Sequence, residues 1–494
     1  MIRIGWASRD VSTNEPVGIM GQAHMRISTG SFDPTTITVL ALEANGEQII
    51  FLSGDFTGFT PDLLVELKGE VAEKLPAIDP SKLILNATHT HTAPRYHLTS
   101  GYDNAPTDRV NIYPAIKYRR FLLDQMVSAI KEAWESRAPG SFAYGLGSAE
   151  VSVQRRSVYF NDKGGSNTAQ NTFAVNGHGI MYGKTYFDDF SGYEGCVDPN
   201  AYFLFTYNAQ GDLTGAVINV PCPSQCTEHE VFTSADYWHE TREMIRAKYG
   251  NIFILPQCAA AGDLSPHVLH GQEALSRRDR LTFGDDPKAK LFDRPHEYYN
   301  RKILAERIFH AFEVCLAWAG KERFSEAEVA HVTKIVPLKA WKTTEEDYRK
   351  AKENYELVKD IPFQVTDDPL ADFKANTTLS SNQNRYLNVI ARYESNKEYL
   401  DTEIHVVKLG PIAFATCPFE LYLDYQHRIQ GRSPFTQTFI VQLSPSSVGT
   451  SGYLATEKAV ANKGYSAIPF SCQVCPEGGQ TLVEEILSEL NRMK

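Results

Sequence analysis

Through the first 150 residues, apolar runs of strand length alternate with stretches in which apolar residues recur every three or four positions. "TVLALEA", "QIIFLSGDF" and "KLILNATHT" have the length and the β-branched content of buried strands. Residues 61–75 carry Leu64, Leu67, Val71 and Leu75 on one helical face, with Thr60 at the N-cap and Pro61 at the first helical position. This helix is predicted to pack on a sheet. A second helix is predicted around 116–136, with Phe121, Leu122, Met126 and Ile130 inward. Residues 161–200, rich in Gly, Asn, Asp and Tyr, read as a long surface excursion of a kind that is often functional.

From residue 201 the alternation resumes. "YFLFTYNA" and "LTGAVINVPCP" flank the turn "QGD" and predict a hairpin, followed by a helix at 236–248 and the strand "NIFILPQC". The charged stretch "SRRDRLTFGDDPKAKLFDRPHE" separates these from a helix at about 297–319. Residues 343–400 predict a polar helical pair laid on the surface. Strands return at "TEIHVVKLGPIAFATCP" and "FTQTFIVQLSP", and an amphipathic helix ends the chain. The expectation is an α/β protein with mixed sheets flanked by helices, a single domain over 1–494 with insertions near 161–200 and 343–400.

Composition narrows the function classes. The net charge of −11 is spread along the chain, and no Lys/Arg-rich run could track phosphates, so nucleic acid is not an expected partner. No stretch approaches the apolar length of a membrane span, and "MIRIGWASRDVSTNEPVG" turns polar too early for a secretion signal, so the chain is read as cytoplasmic. The 8 cysteines are too sparse for a disulfide framework, and the lone "CQVC" at 472–475 is read as structural. The pattern specifies no oligomeric state.

Candidate chemistry gathers where strands end. In "THTHTAP", His89 and His91 at alternate positions of a strand would project to one side, as a chelating pair or as a ligand beside an acid, base or oxyanion donor. A pair of loop histidines bonded to backbone is the other reading. Other strands lead to Asp263, Ser265 and His267, to Cys222, Cys226, Glu228 and His229, and to Glu420. In α/β sheets such residues converge beyond the carboxyl ends of the strands. Each alone also has a structural reading. Asp263 and Ser265 suit a turn, Glu420 the start of a helix, and Asp55 a cap.

"THTHTAP", "GDLSPH" and "SGYLAT", with the opening "IGWASRDVSTNEPVGIMGQ", resemble the motifs of the neutral/alkaline non-lysosomal ceramidases in order and approximate spacing. The resemblance implies a zinc-dependent amidase whose catalytic domain is built on sheets flanked by helices, here without the family's carboxyl-terminal immunoglobulin-like domain. It implies His89, Glu420 in "CPFELYL" and Tyr453 in "GYLAT" as Zn2+ ligands, His91 and Arg156 in "QRRSVYFN" as substrate-contacting residues, and Ser265 as a proposed nucleophile or site-shaping residue. One position departs. Where the family donates a second histidine, "NVPCPSQCTEHE" offers Ser224 or Cys222, depending on the direction of counting. Cys222 as a thiolate, His229 from the following loop, or neither would complete the set.

The expected chemistry is attack of metal-activated water on an amide or related acyl bond, ranked above direct attack by Ser265 because no Ser/His/Asp triad is evident. The expected substrate is a small molecule, either an N-acyl lipid or, given the polar excursion, a sugar derivative. Hydrolysis or elimination on a soluble carbohydrate derivative or lactone is the second reading. A non-catalytic binding protein retaining the fold is the third.

Overall fold

The computed structural model describes residues 1–163 and 177–494, and the part of the 161–200 excursion between those limits lies outside the described residues. The alternating apolar runs build an 8-stranded mixed sheet and a 4-stranded sheet. Their facing sides meet through Trp6, Leu40, Phe51 and Leu204 of the larger sheet and Val407, Phe414 and Phe439 of the smaller. A strand buried on both faces must be apolar at successive positions, which is why these runs show little alternation.

The outer face of the larger sheet is covered by helices Pro61–Lys74 and Ala115–Glu135 over one half, and by Tyr237–Tyr249 and Pro295–Ala319 over the other. Helices Leu423–Gln430 and Pro476–Arg492 cover the smaller sheet. The result is a helix–sheet–sheet–helix stack. In the first helix Leu64, Leu67 and Val71 are buried as the spacing predicts, and Thr60 stands at the N-cap without a side-chain cap bond. In the second, Leu122, Met126 and Ile130 are buried, but Phe121 is exposed.

The predicted hairpin forms between strands Asn200–Asn208 and Leu213–Val220. The polar pair at 343–400 forms helices Glu345–Val358 and Pro369–Ser395, joined by stacking of Tyr348 on Tyr393 and by the buried Ala351, Tyr386 and Val389. The charged stretch read as a separator contributes to the helix Gln272–Phe283, whose only buried residue is Asp279. All 8 cysteines are free thiols, and Cys472 and Cys475 donate to the carbonyls of Ser466 and Lys339. Among the described residues no helix is long and apolar enough to cross a membrane.

One feature of the larger sheet sets up the site. Strands Leu83–Ala87 and Phe253–Cys258 are its opposite edges, yet Asn86 Nδ2 donates to the Pro256 carbonyl at 3.1 Å. The sheet is curled until its edges touch. The loops that follow these strands therefore meet, and Ser224, beyond the hairpin strand Leu213–Val220, donates its hydroxyl to the Thr88 carbonyl at 2.8 Å.

Candidate active site

His89 and His91 lie beyond the strand, which ends at Ala87, so the pleat does not align them. His89 adopts φ 64°, a left-handed conformation costly for a non-glycine residue and characteristic of functional turns. The turn brings the imidazoles together edge to face, with centroids 4.8 Å and Nε2 atoms 3.4 Å apart. Thr57, beyond the adjacent strand Glu47–Gly54, fixes the turn, since its carbonyl accepts from His89 Nδ1 at 2.5 Å and its hydroxyl donates to the Thr90 carbonyl at 3.0 Å. A carbonyl only accepts. The Nδ1 of His89 therefore carries a proton, and in the neutral ring Nε2 presents its lone pair to the site.

That lone pair faces a carboxylate. Glu420 Oε2 lies 3.4 Å from His89 Nε2. Glu420 and Tyr453 are register partners in a short parallel pair of strands, Glu420–Leu421 and Tyr453–Leu454, which sets carboxylate and phenol side by side. Gly262 of the "GDLSPH" turn explains its own glycine, because a Cβ there would stand 2.3 Å from the Glu420 carbonyl oxygen. Gly21 of the opening motif does the same for His91, with φ 105° and a Cβ that would fall 2.6 Å from the imidazole ring.

The guanidinium in the site belongs to Arg155. Its Nη2 donates to the Gly262 carbonyl at 2.8 Å and to the Tyr453 hydroxyl at 3.3 Å and lies 3.7 Å from Glu420 Oε2, while Nη1 reaches the Tyr182 hydroxyl at 3.3 Å. Arg156, the residue expected to contact substrate, points the other way. It is fully buried, donating to both oxygens of Glu194 at 2.5 and 3.1 Å and to the Tyr465 carbonyl at 2.7 Å. It is a structural brace.

Neither cysteine of "PCPSQC" reaches the histidines. Cys222 is buried in the core behind the site, its thiol donating to the Val151 carbonyl at 3.0 Å, and burial pushes that thiol well above its usual range. Cys222→Ser is accordingly expected to leave metal content unchanged, as elemental analysis of the purified variant would show. His229 lines the cavity, with Nε2 3.7 Å from Glu228 Oε1. Ser265 is buried, its Oγ accepting from the His267 backbone N–H at 3.0 Å and from the Tyr182 hydroxyl at 3.3 Å. Those partners fit the turn reading and supply no base. Asp263 holds the start of helix Leu423–Gln430 through the Leu423 N–H at 2.9 Å, and Asp55 pairs with Arg242 at 2.8 and 3.0 Å.

Next to His91 stand residues the sequence reading left without a role. Glu228 Oε2 lies 3.5 Å from His91 Nδ1, and Gln225 Nε2 lies 2.7 Å from His91 Nε2. Burial opposes ionisation of Glu228, but His267, His91 and His229 around it hold its pKa down to about 2. Burial, with His89 alongside, lowers His91 to about 3. His267 donates from Nε2 to the Gln225 carbonyl at 2.7 Å, and despite burial the Glu228 carboxylate raises its pKa. The only advance signal for Glu228 was its place after a strand end.

His91, Arg155, Tyr182, Glu228 and Tyr453 open onto a cavity of about 850 Å³, and Glu420 backs a smaller one of about 140 Å³. The large cavity is lined by the polar Gln22, Lys184, Arg278, Arg294 and Asn300 and by the apolar Met181, Val268, Leu269 and Leu275. An imidazole, a carboxylate, a phenol and a guanidinium thus converge from distant parts of the chain behind a cleft of mixed polarity.

The fold is that of a known class. The chain aligns with most of the neutral ceramidase of Pseudomonas aeruginosa in three dimensions, with a TM-score of 0.66 and 17% identity over 99% of this chain and 75% of that one. A structure described as ceramidase complexed with C2 gives 0.64 and 15%, over 99% and 74%. In sequence, the Pseudomonas aeruginosa enzyme is 23% identical over 279 residues, 54% of this chain and 37% of that protein, so the match spans well under half of the curated relative. No protein-family model matches the chain. The fold is that of the neutral ceramidases, in a divergent, ceramidase-like chain.

Proposed function

We propose that the chain is a zinc-dependent hydrolase that cleaves an amide or related acyl bond in the cleft. The observation that carries this reading is the His89–Glu420 contact, in which an imidazole lone pair and a carboxylate oxygen, both acceptors when His89 is neutral, face each other across 3.4 Å. A cation between them resolves that opposition, and the Tyr453 hydroxyl beside Glu420 adds an oxygen donor. The donor set of nitrogen, carboxylate and phenol suits zinc, and the residues that would hold it are His89, Glu420 and Tyr453. When bound, zinc would polarise the scissile carbonyl and acidify water.

The chain's own residues supply the rest. His91, neutral at pH 7, has Nδ1 directed at ionised Glu228, and its Nε2, the acceptor that receives the Gln225 amide N–H at 2.7 Å, would take a proton from the attacking water in exchange for that bond and return it to the leaving group. Arg155, held by Gly262, Tyr453 and Tyr182, offers positive charge where an oxyanion would develop. Glu228 is a positioning residue. Glu228→Gln should lower kcat by roughly 10- to 100-fold while KM and metal content stay nearly unchanged, the scale typical of partners that orient a functional histidine.

The charged side chains in the cavity lining support a second reading of the substrate. A cavity bordered by Lys184, Arg278, Asp279, Arg294 and Asn300 suits a soluble, hydroxyl- or carboxylate-bearing molecule such as a carbohydrate derivative or lactone, on which the same centre would act by hydrolysis or elimination. Turnover assays with N-acylsphingosines beside acylated and oxidised sugars separate the two. Turnover of neither class by metal-replete protein would contradict both enzymatic readings and leave a binding protein.

A further inference from the structure

Among the described residues, one group of three His, Cys, Asp or Glu side chains brings its ligand atoms within 4.8 Å of one another, and it is not the centre described above. It consists of Cys196, Asp424 and His427. We propose that these residues form a second metal site, for zinc or another thiophilic divalent ion, at the surface.

The cluster is prearranged by its supports. Asp424 and His427 lie three residues apart on helix Leu423–Gln430 and so share a face. Cys196 sits in the loop between strands Phe190–Tyr193 and Asn200–Asn208, with its Sγ 3.8 Å from His427 Nδ1. That loop is fastened on both sides of the cysteine. Glu194 is clamped by Arg156, and Asp198 Oδ2 accepts from Gln426 Nε2, on the same helix, at 2.9 Å. The helix start is fixed in turn by the bond from the Leu423 N–H to Asp263. Ligands on anchored elements lose little freedom on binding, which favours affinity.

The chemistry fits the same class of ion. A thiolate, an imidazole and a carboxylate form a three-ligand set for tetrahedral zinc, with solvent in the fourth position of an exposed site. Thiolate and carboxylate together balance a double positive charge. Cys196 is the exposed cysteine and the other seven are buried, so a soft ion meets this thiol first. Binding would tie the 194–198 loop to the helix that begins three residues after Glu420.

The test uses full-length protein stripped with a chelator and titrated with Co2+, which reports thiolate ligation by sulfur-to-metal charge-transfer absorption. Wild-type protein is expected to develop that band. Cys196→Ser should lose it, and His427→Ala should weaken binding by roughly tenfold or more. His89→Ala should keep the band at full strength, which separates this site from the proposed catalytic one. Absence of the band in wild-type protein, or its persistence in Cys196→Ser, would overturn the proposal. Both surface variants are expected to retain the wild-type circular dichroism spectrum and melting temperature.

Discussion

Replacing His89 by alanine is expected to abolish measurable turnover and remove one equivalent of bound metal, with the circular dichroism spectrum unchanged. The expected size follows from what the imidazole does. Lewis-acid stabilisation of a developing charge is worth several kcal/mol, and at about 1.4 kcal/mol per factor of ten its loss removes at least about three powers of ten from kcat/KM. The fold should tolerate the change, because the histidine's packing role is confined to a loop beyond the strand and the curled sheet is held independently by the Asn86–Pro256 bond. Metal retained at full stoichiometry at the catalytic centre, with activity lost, would reassign His89 from ligand to another role.

Arg155→Ala and Arg156→Ala are expected to fail in opposite ways, although the residues are neighbours. Arg156→Ala leaves the buried Glu194 carboxylate without its bidentate partner, and breaking a buried pair in this way costs about 3–5 kcal/mol. Its signature should be a large fall in melting temperature, read by calorimetry. Arg155→Ala should instead lower kcat/KM by roughly 10²- to 10³-fold, the usual effect of losing an oxyanion donor. Its smaller stability cost reflects the loss of bonds to Gly262, Tyr453 and Tyr182. If Arg156→Ala proved the catalytic defect with stability intact, the roles assigned to the two arginines would be reversed.

That pair also shows why the sequence was legible only in part. The long, regular apolar patterns of 61–74 and of the 200–220 hairpin identify their elements because period and burial agree. Helix Gln272–Phe283 leaves no apolar stripe in the sequence, because only Asp279 is buried. Phe121 satisfied a helical rhythm but sits at its margin, where the neighbouring Leu122 and Leu123 take the buried positions. At the site, convergence of His89 and Glu420 could be expected because each follows a strand, whereas Tyr453 entered only through the resemblance of "GYLAT" to the ceramidase motif. Arg155 could not be told from Arg156, since successive residues in extended backbone face opposite ways and a shift of one reverses the assignment. Cys222 and Gln225 belong to an irregular loop, where no period fixes direction. There the thiol turned to the core and the amide to His91.

The central claim is that a cation sits between His89 and Glu420, and diffraction from crystals of the metal-replete protein across the zinc absorption edge tests it most directly. The account predicts an anomalous peak within bonding distance of His89 Nε2 and a Glu420 carboxylate oxygen, with the Tyr453 hydroxyl beside it. Anomalous density confined to Cys196, Asp424 and His427, with a direct proton-mediated contact between His89 and Glu420, would contradict it.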